Sequence, residues 1–142
     1  MMPKIKRKLK KIENDEQFIK RKSSQARSSW RTRAKKNESD LDSIPTTTEI
    51  AEFIKACGFK CYISKGDLNK STLELDHKTP ISRGGTFKLD NVGLTSRYYN
   101  QVKGSMTLKE FNGLLKLVSK WEDKGKDLFA RLLSSNRRYI KK

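Results

Sequence analysis

A chain of 142 residues with 34% hydrophobic and 35% charged residues can enclose only one small core, so some of its length is expected to lie outside that core. Its formal charge of +17 and isoelectric point near 10.0 imply strong self-repulsion unless a polyanion is bound; nucleic acid is the usual candidate, and a membrane surface is the weaker one. No apolar run approaches bilayer length, and the first twenty residues lack the unbroken apolar stretch of a secretory signal, which gives the expectation of a soluble, cytoplasmic protein with no membrane partner.

The first 37 residues hold fourteen Lys and Arg against Glu13, Asp15 and Glu16, a local excess of +11. Their few apolar residues, Ile5, Leu9, Ile12, Phe18 and Ile19, could form one face of a short helix. The run RKSSQARSSWRTRAKK shows no hydrophobic pattern, as in a disordered or binding-coupled segment, and Trp30 within it could stack on a base. Residues 1–44 are accordingly expected to be a basic arm, partly disordered or helical, ending in the linker NESDLDSIP. A folded domain is expected over 45–142.

Within that domain Thr46 and Glu49 have capping-box spacing, Ile50, Phe53, Ile54 and Cys57 recur every three or four residues, and Gly58 is placed to end the helix. FKCYI and TLELD both alternate, and SKGDLNKS between them supplies turn residues, so the two runs predict a β-hairpin. A short helix is expected from Asn91 to Lys103, ended by Gly104. Thr107 and Glu110 repeat the capping spacing before the stripe Leu108, Phe111, Leu114, Leu115 and Val118, which predicts an amphipathic helix reaching Trp121. Leu128, Phe129, Leu132 and Leu133 predict a last short helix before the basic tail. The fold class is therefore α+β. Cys57 and Cys61 are too few for a disulfide framework, and with a single histidine in the chain they cannot complete a four-ligand zinc site, so both are read as free thiols.

The chemistry concentrates at Asp76 and His77, the latter the only histidine. A neutral imidazole can take a proton from water near neutral pH, and an adjacent carboxylate can hold a hard cation such as Mg2+ against a phosphate. Neighbours on a regular strand point to opposite faces, so both can serve one phosphate only if the strand ends or bends there. Pro80 and Gly84–Gly85 indicate that the chain leaves sheet geometry soon afterwards. Taken alone, an Asp-His pair at a strand end is more often an ordinary turn.

The longer stretch LDHKTPISRGGTFKLDNVGLTSRYYNQVKG, residues 75–104, resembles the HNH endonuclease family: the Asp-His pair, the Pro-x-Ser-x-Gly-Gly loop, the following Asp-Asn and the closing Asn-x-x-Lys-Gly agree in type and separation. The resemblance implies a small ββα-metal core, a β-hairpin plus a helix around one divalent ion, docked in the DNA minor groove and flanked here by N- and C-terminal helices. It implies His77 as general base, Asp76 and Asn100 as metal ligands, and Asn91 as the residue that holds the loop and orients the histidine. The cofactor implied is Mg2+, with Mn2+ the alternative, and the products are 5′-phosphate and 3′-hydroxyl ends. Arg83, Arg97 and Lys103 are the candidate DNA contacts around the site. Many members carry a structural zinc on four cysteines, at positions that here are Cys61, Ser64, Ser96 and Tyr99, so no structural zinc is expected and flanking helices must supply the burial, with Tyr98 and Tyr99 packing in the vacated place. Zinc-less members of this kind look most like phage or bacterial proteins. The competing readings are a non-catalytic nucleic-acid-binding protein on the same scaffold and an RNA-binding basic protein.

Overall fold

The computed structural model of the protein describes residues 13–123. The first twelve residues, the helix expected around Leu128 to Leu133 and the basic tail lie outside the described residues.

Helix α1 spans Asp15–Lys36. Asn14 caps it, accepting from the Gln17 amide at 2.8 Å while the Gln17 side chain accepts from the Asn14 amide at 3.2 Å, so two otherwise orphan donors are satisfied reciprocally. The helix is one of the two forms expected of the basic arm; what is corrected is the reading that the run carries no hydrophobic pattern. Ile19, Ser23, Ala26, Trp30 and Ala34 fall at successive intervals of four, three, four and four, and Phe18, Ile19, Ser23, Trp30 and Ala34 are all buried. The stripe is hard to see because half of it is small. Ser and Ala let the helix backbone approach its neighbours closely, and the buried Ser23 hydroxyl is satisfied by the Ile19 carbonyl at 2.7 Å.

Helix α2, Thr47–Cys57, forms as its capping box predicts: Thr46 accepts from the Glu49 amide, Glu49 accepts from the Thr46 amide, and Gly58 ends the helix in the left-handed region. It packs along α1, and its fully buried Ile50 and Ile54 join Phe18, Ile19, Trp30, Ala34, Ile44, Leu73, Phe87, Val92 and Leu94 in one core.

The sheet differs from the expected hairpin. Strand β1, Leu73–His77, pairs antiparallel not with FKCYI but with β2, Val92–Ser96, in the register Leu73 to Ser96 through His77 to Val92. FKCYI cannot form a ladder because the chain turns too soon: Lys65 N donates to Cys61 O and Cys61 N to Gly66 O, both at 2.9 Å, and only the single bridge Lys60–Asp67 remains. The segment lies instead across β2, with Tyr62 N donating to Leu94 O at 2.8 Å. Val92, Leu94 and Thr95 are β-formers with both faces covered, and they draw residues 92–96 out of the helix expected over 91–103.

That helix, α3, is shortened to Arg97–Lys103, with Ser96 as its N-cap. Helix α4, Leu108–Ser119, is capped by Thr107 and buries Phe111, whose ring meets Tyr99 edge-on at 6.1 Å; Tyr98 points out instead of filling a vacated place. The result among the described residues is an α+β fold of four α-helices and a two-stranded antiparallel sheet, in which β1, β2 and α3 follow consecutively.

Because Trp30 is 4% exposed within this core, Trp30→Ala should cost about 3–5 kcal/mol, whereas Arg31→Ala on the exposed side should stay within about 0.5 kcal/mol. Urea unfolding measures both. A Trp30 cost below about 1 kcal/mol would return α1 to the status of a detached arm.

Candidate active site

Alternation along β1 builds two different environments from one strand. Leu73, Leu75 and His77, opposite Ser96, Leu94 and Val92, face the core beneath α1; Glu74 and Asp76, opposite Thr95 and Gly93, face α3. Pairing continues through His77, so the strand does not bend at the Asp-His pair, and the structure does not bring the two side chains to one point.

On the α1 side the His77 ring sits against Trp30, with centroids 5.1 Å apart, and against the edge of Phe87 at 5.4 Å. The residue is 6% exposed, and its Nε2 is the buried side-chain nitrogen or oxygen that lacks a hydrogen-bond partner among the described residues. Burial, followed by the positive charges of Arg33 and Lys103, pushes its pKa down to about 4. At neutral pH the imidazole is uncharged.

On the α3 side two rungs join strand to helix. Asn100 Nδ2 donates to Glu74 Oε2 at 2.6 Å; one turn later Lys103 Nζ lies 3.2 Å from Asp76 Oδ2 and donates to the His77 carbonyl at 3.0 Å. The Tyr62 hydroxyl also donates to Asp76 Oδ2, at 2.5 Å, and burial followed by that bond raises the phenol's pKa. Gly93 makes this approach possible. It stands opposite Asp76, and a Cβ there would fall 2.4 Å from the Tyr62 ring. Lys78 Nζ lies over that ring, 5.8 Å from its centroid.

Between the strands, residues 78–91 are held by Asn91. Its Oδ1 accepts from the Thr79 amide at 2.9 Å, while Nδ2 donates to the carbonyls of Thr79 at 3.0 Å and Thr86 at 2.8 Å; its own carbonyl accepts from Lys78 N. The paired glycines have separate tasks. Gly84 adopts φ +88°, and Gly85 lies so close to the Thr79 carbonyl that a Cβ would sit 1.9 Å from its oxygen.

Of the three candidate DNA contacts, only Lys103 is taken out of reach; Arg83 and Arg97 keep exposed side chains. Lys103 is 1% exposed and committed to Asp76 and the His77 carbonyl, so it cannot touch phosphate; its aliphatic stem and its partners both favour the interior. Arg83 is paired with Glu110 and reaches the Ser105 carbonyl, and Arg97 lies 3.5 Å from Glu74 Oε1 and donates to the Ser71 carbonyl. Sequence reasoning missed Glu74 and Tyr62. The first was available, since a residue two before Asp76 shares its face; the second depends on a crossing of the chain that no local pattern announces.

For a cation, the donors on the α3 side are all oxygen, which suits Mg2+. Both contacts to Asp76 fall on Oδ2, leaving Oδ1, and the Asn100 amide nitrogen is committed to Glu74, leaving its oxygen. Among the described residues no three His, Cys, Asp or Glu side chains gather as a metal cage, so water and phosphate would have to complete the coordination. At the expected zinc positions Cys61 is buried, with its sulfur 3.4 Å from the Ser64 amide and 3.5 Å from the Thr95 hydroxyl.

The enclosed histidine has a measurable signature. Between pH 6.5 and about 4 the unfolded chain binds a proton that the folded chain refuses, so stability is lost as pH falls through that window. From pH 6.5 to 5 the loss should be about 1.5 kcal/mol in urea unfolding, and His77→Leu, which fills the same apolar slot without titrating, should lack it. Matching profiles for the two proteins would mean that the ring is not enclosed.

Comparisons with protein-family models, curated proteins and solved structures return no match to this chain, so the chemistry of the site has to be drawn from its own residues.

Proposed function

We propose that the chain is a metal-dependent DNA endonuclease of the HNH type. The observation that carries this reading is the loop between β1 and β2: Asn91 spans it with three side-chain hydrogen bonds, which is the task the resemblance assigns to that asparagine. The consecutive order β1, β2, α3 supports it as well, with Asp76 on the strand and Asn100 on the helix that packs against the same face.

In this reading Asp76 and Asn100 would hold the cation through their oxygens, and when bound it would neutralise charge on the scissile phosphate. Glu74 fixes the Asn100 amide so that its oxygen faces away from Glu74, and Tyr62 fixes the Asp76 carboxylate. Lys103 balances the carboxylate's charge and limits how strongly the site holds a cation. His77 takes the proton of the attacking water at Nε2, a buried atom with no partner of its own. The ring is packed between Trp30 and Phe87, which counts against this step: it would require the ring to leave that slot when DNA engages. The products are 5′-phosphate and 3′-hydroxyl ends.

A second reading is favoured by the same enclosure. With His77 packed as a core ring and Asp76 paired to Lys103, the fold could serve as a nucleic-acid-binding scaffold without catalysis.

A supercoiled-plasmid nicking assay in Mg2+ and in Mn2+ separates the two. The nuclease reading expects relaxed product from the native chain, and at least a hundredfold loss in His77→Ala and Asp76→Ala with duplex affinity changed less than about threefold. Tight duplex binding without nicking in either metal would establish the scaffold reading.

A further inference from the structure

Of the cations expected around the site, Lys103 is buried and Arg83 and Arg97 sit in exposed ion pairs, whereas α1 displays cations that belong to no ion pair. Helix α1 carries eight Lys and Arg against Asp15 and Glu16, both in its first turn, and Asp15 is already paired with Lys70. With Phe18, Ile19, Trp30 and Ala34 locked in the core, the helix cannot roll, so what remains outside is displayed in a fixed direction.

We propose that the face of α1 formed by Ser24, Arg27, Ser28, Arg31, Thr32 and Lys35 is a docking track for the phosphate backbone of duplex DNA. These side chains, with Thr47 at the start of α2, line a groove of about 330 Å³ that contains no carboxylate. Cations occupy every fourth position, 27, 31 and 35, and hydroxyls the parallel row 24, 28 and 32. Four residues of helix rise about 6 Å, so each step sets one cation beside one hydroxyl, both of them groups that contact phosphate oxygens; the Thr32 hydroxyl donates to the Ser28 carbonyl at 3.1 Å, so Ser24 and Ser28 supply the hydroxyl donors. Arg27 is held by the Pro45 carbonyl at 2.6 Å, which fixes one end of the cation row against the entry to α2. The side chains of Arg31 and Lys35 form no ion pair or hydrogen bond among the described residues, so neither has to give one up to meet a phosphate. A track held rigid by the core loses little entropy when it binds.

The same lining selects the partner. Single strands are usually gripped by aromatic rings that stack on bases, and none lines this groove, because Trp30 is turned inward. Amphipathic membrane binding needs an apolar face toward the lipid, and the apolar face of α1 is spent on the core. Regular rows of charge and hydroxyl suit the regular backbone of a duplex. The proposal rests on the nuclease reading only for the choice of DNA as the duplex, and it requires no catalysis.

Binding of the full-length protein to a short labelled DNA duplex, followed across a salt series in EDTA, tests the track. The double variant Arg31→Gln/Lys35→Gln should reduce the slope of log affinity against log salt by about 2 and weaken binding roughly tenfold at moderate salt. Lys88→Gln/Lys116→Gln removes equal charge from exposed sites elsewhere and should change affinity less than about twofold. Ser28→Glu, which places a like charge in the groove, should weaken binding as the first variant does. Equal losses in the two double variants, or an unchanged slope in the first, would overturn the track; tighter binding to RNA duplex or to single strands would overturn its assignment to DNA duplex. Nicking by the same preparations keeps the conclusions apart. Cleavage with an unchanged slope sinks the track and leaves the nuclease, while slope loss in a chain that never nicks leaves the track and sinks the nuclease.

Discussion

Strand pairing that runs unbroken through His77 is the constraint on which the rest of this structure depends. Because the ladder includes both Asp76 and His77, one side chain must face α3 and the other α1, and each inherits the dielectric of its side. The imidazole enters an apolar slot and stays neutral. The carboxylate enters a polar seam where Tyr62 and Lys103 compensate it. Lys103 belongs to both sides, since its ammonium bonds the backbone carbonyl of the histidine as well as the side chain of the aspartate. Pairs buried this deeply gain little net stability, because desolvation consumes most of the attraction, but removing one partner leaves the other uncompensated. The pair is therefore better understood as fixing the seating of α3 on β1 than as a source of stability.

The long β1–β2 connection follows from the same ladder. A connection spanning residues 78–91 is far longer than a tight hairpin turn, and an unbonded loop of that size would leave its backbone groups to water and its ends to entropy. Asn91 replaces much of what a tight turn would have supplied, with one side chain bonding both backbone groups of Thr79 and closing on Thr86. Gly85 permits the backbone-to-backbone approach on which that closure relies. The loop's contents thus have a structural reason that holds whether or not the chain cuts DNA.

How much of this was legible in the sequence depends on where each signal resides. The helices α2 and α4 announced themselves because their caps and stripes are local and strongly apolar, and their observed caps Thr46 and Thr107 are the expected ones. The sheet was misread because alternation tells which residues could be strand but not which strands pair: FKCYI alternates more visibly than VGLTS, yet the turn at Lys65 and Gly66 denies it a partner. Helix α1 was hidden by Ser23, Ala26 and Ala34, small residues that count as polar or neutral in a hydrophobic pattern yet act as contact positions in a packed helix. The fate of Lys103 was hidden by its charge, because a lysine at a helix end is normally solvated and only the arrangement of Asp76 and the His77 carbonyl draws it inside. The residues of the Asp76 seam were partly visible, whereas Tyr62 beside Asp76 and Trp30 beside His77 were set by tertiary contacts.

The two halves of the charge distribution then have a common cause. At the β1–α3 seam Arg97 on Glu74 and Lys103 on Asp76, and between the β1–β2 connection and α4 Arg83 on Glu110, each answer a nearby carboxylate. On α1 carboxylates are confined to the first turn, so from Lys20 onward the helix has nothing of opposite sign along its own length to consume its cations. A helix so charged would be poorly stable alone, since like charges three and four residues apart repel. It persists because Trp30, Phe18 and Ile19 bind it to α2 and the sheet with burial energy that exceeds the repulsion. Burial of one face thereby holds the other in a repulsive arrangement, which a polyanion settled on the helix would relieve.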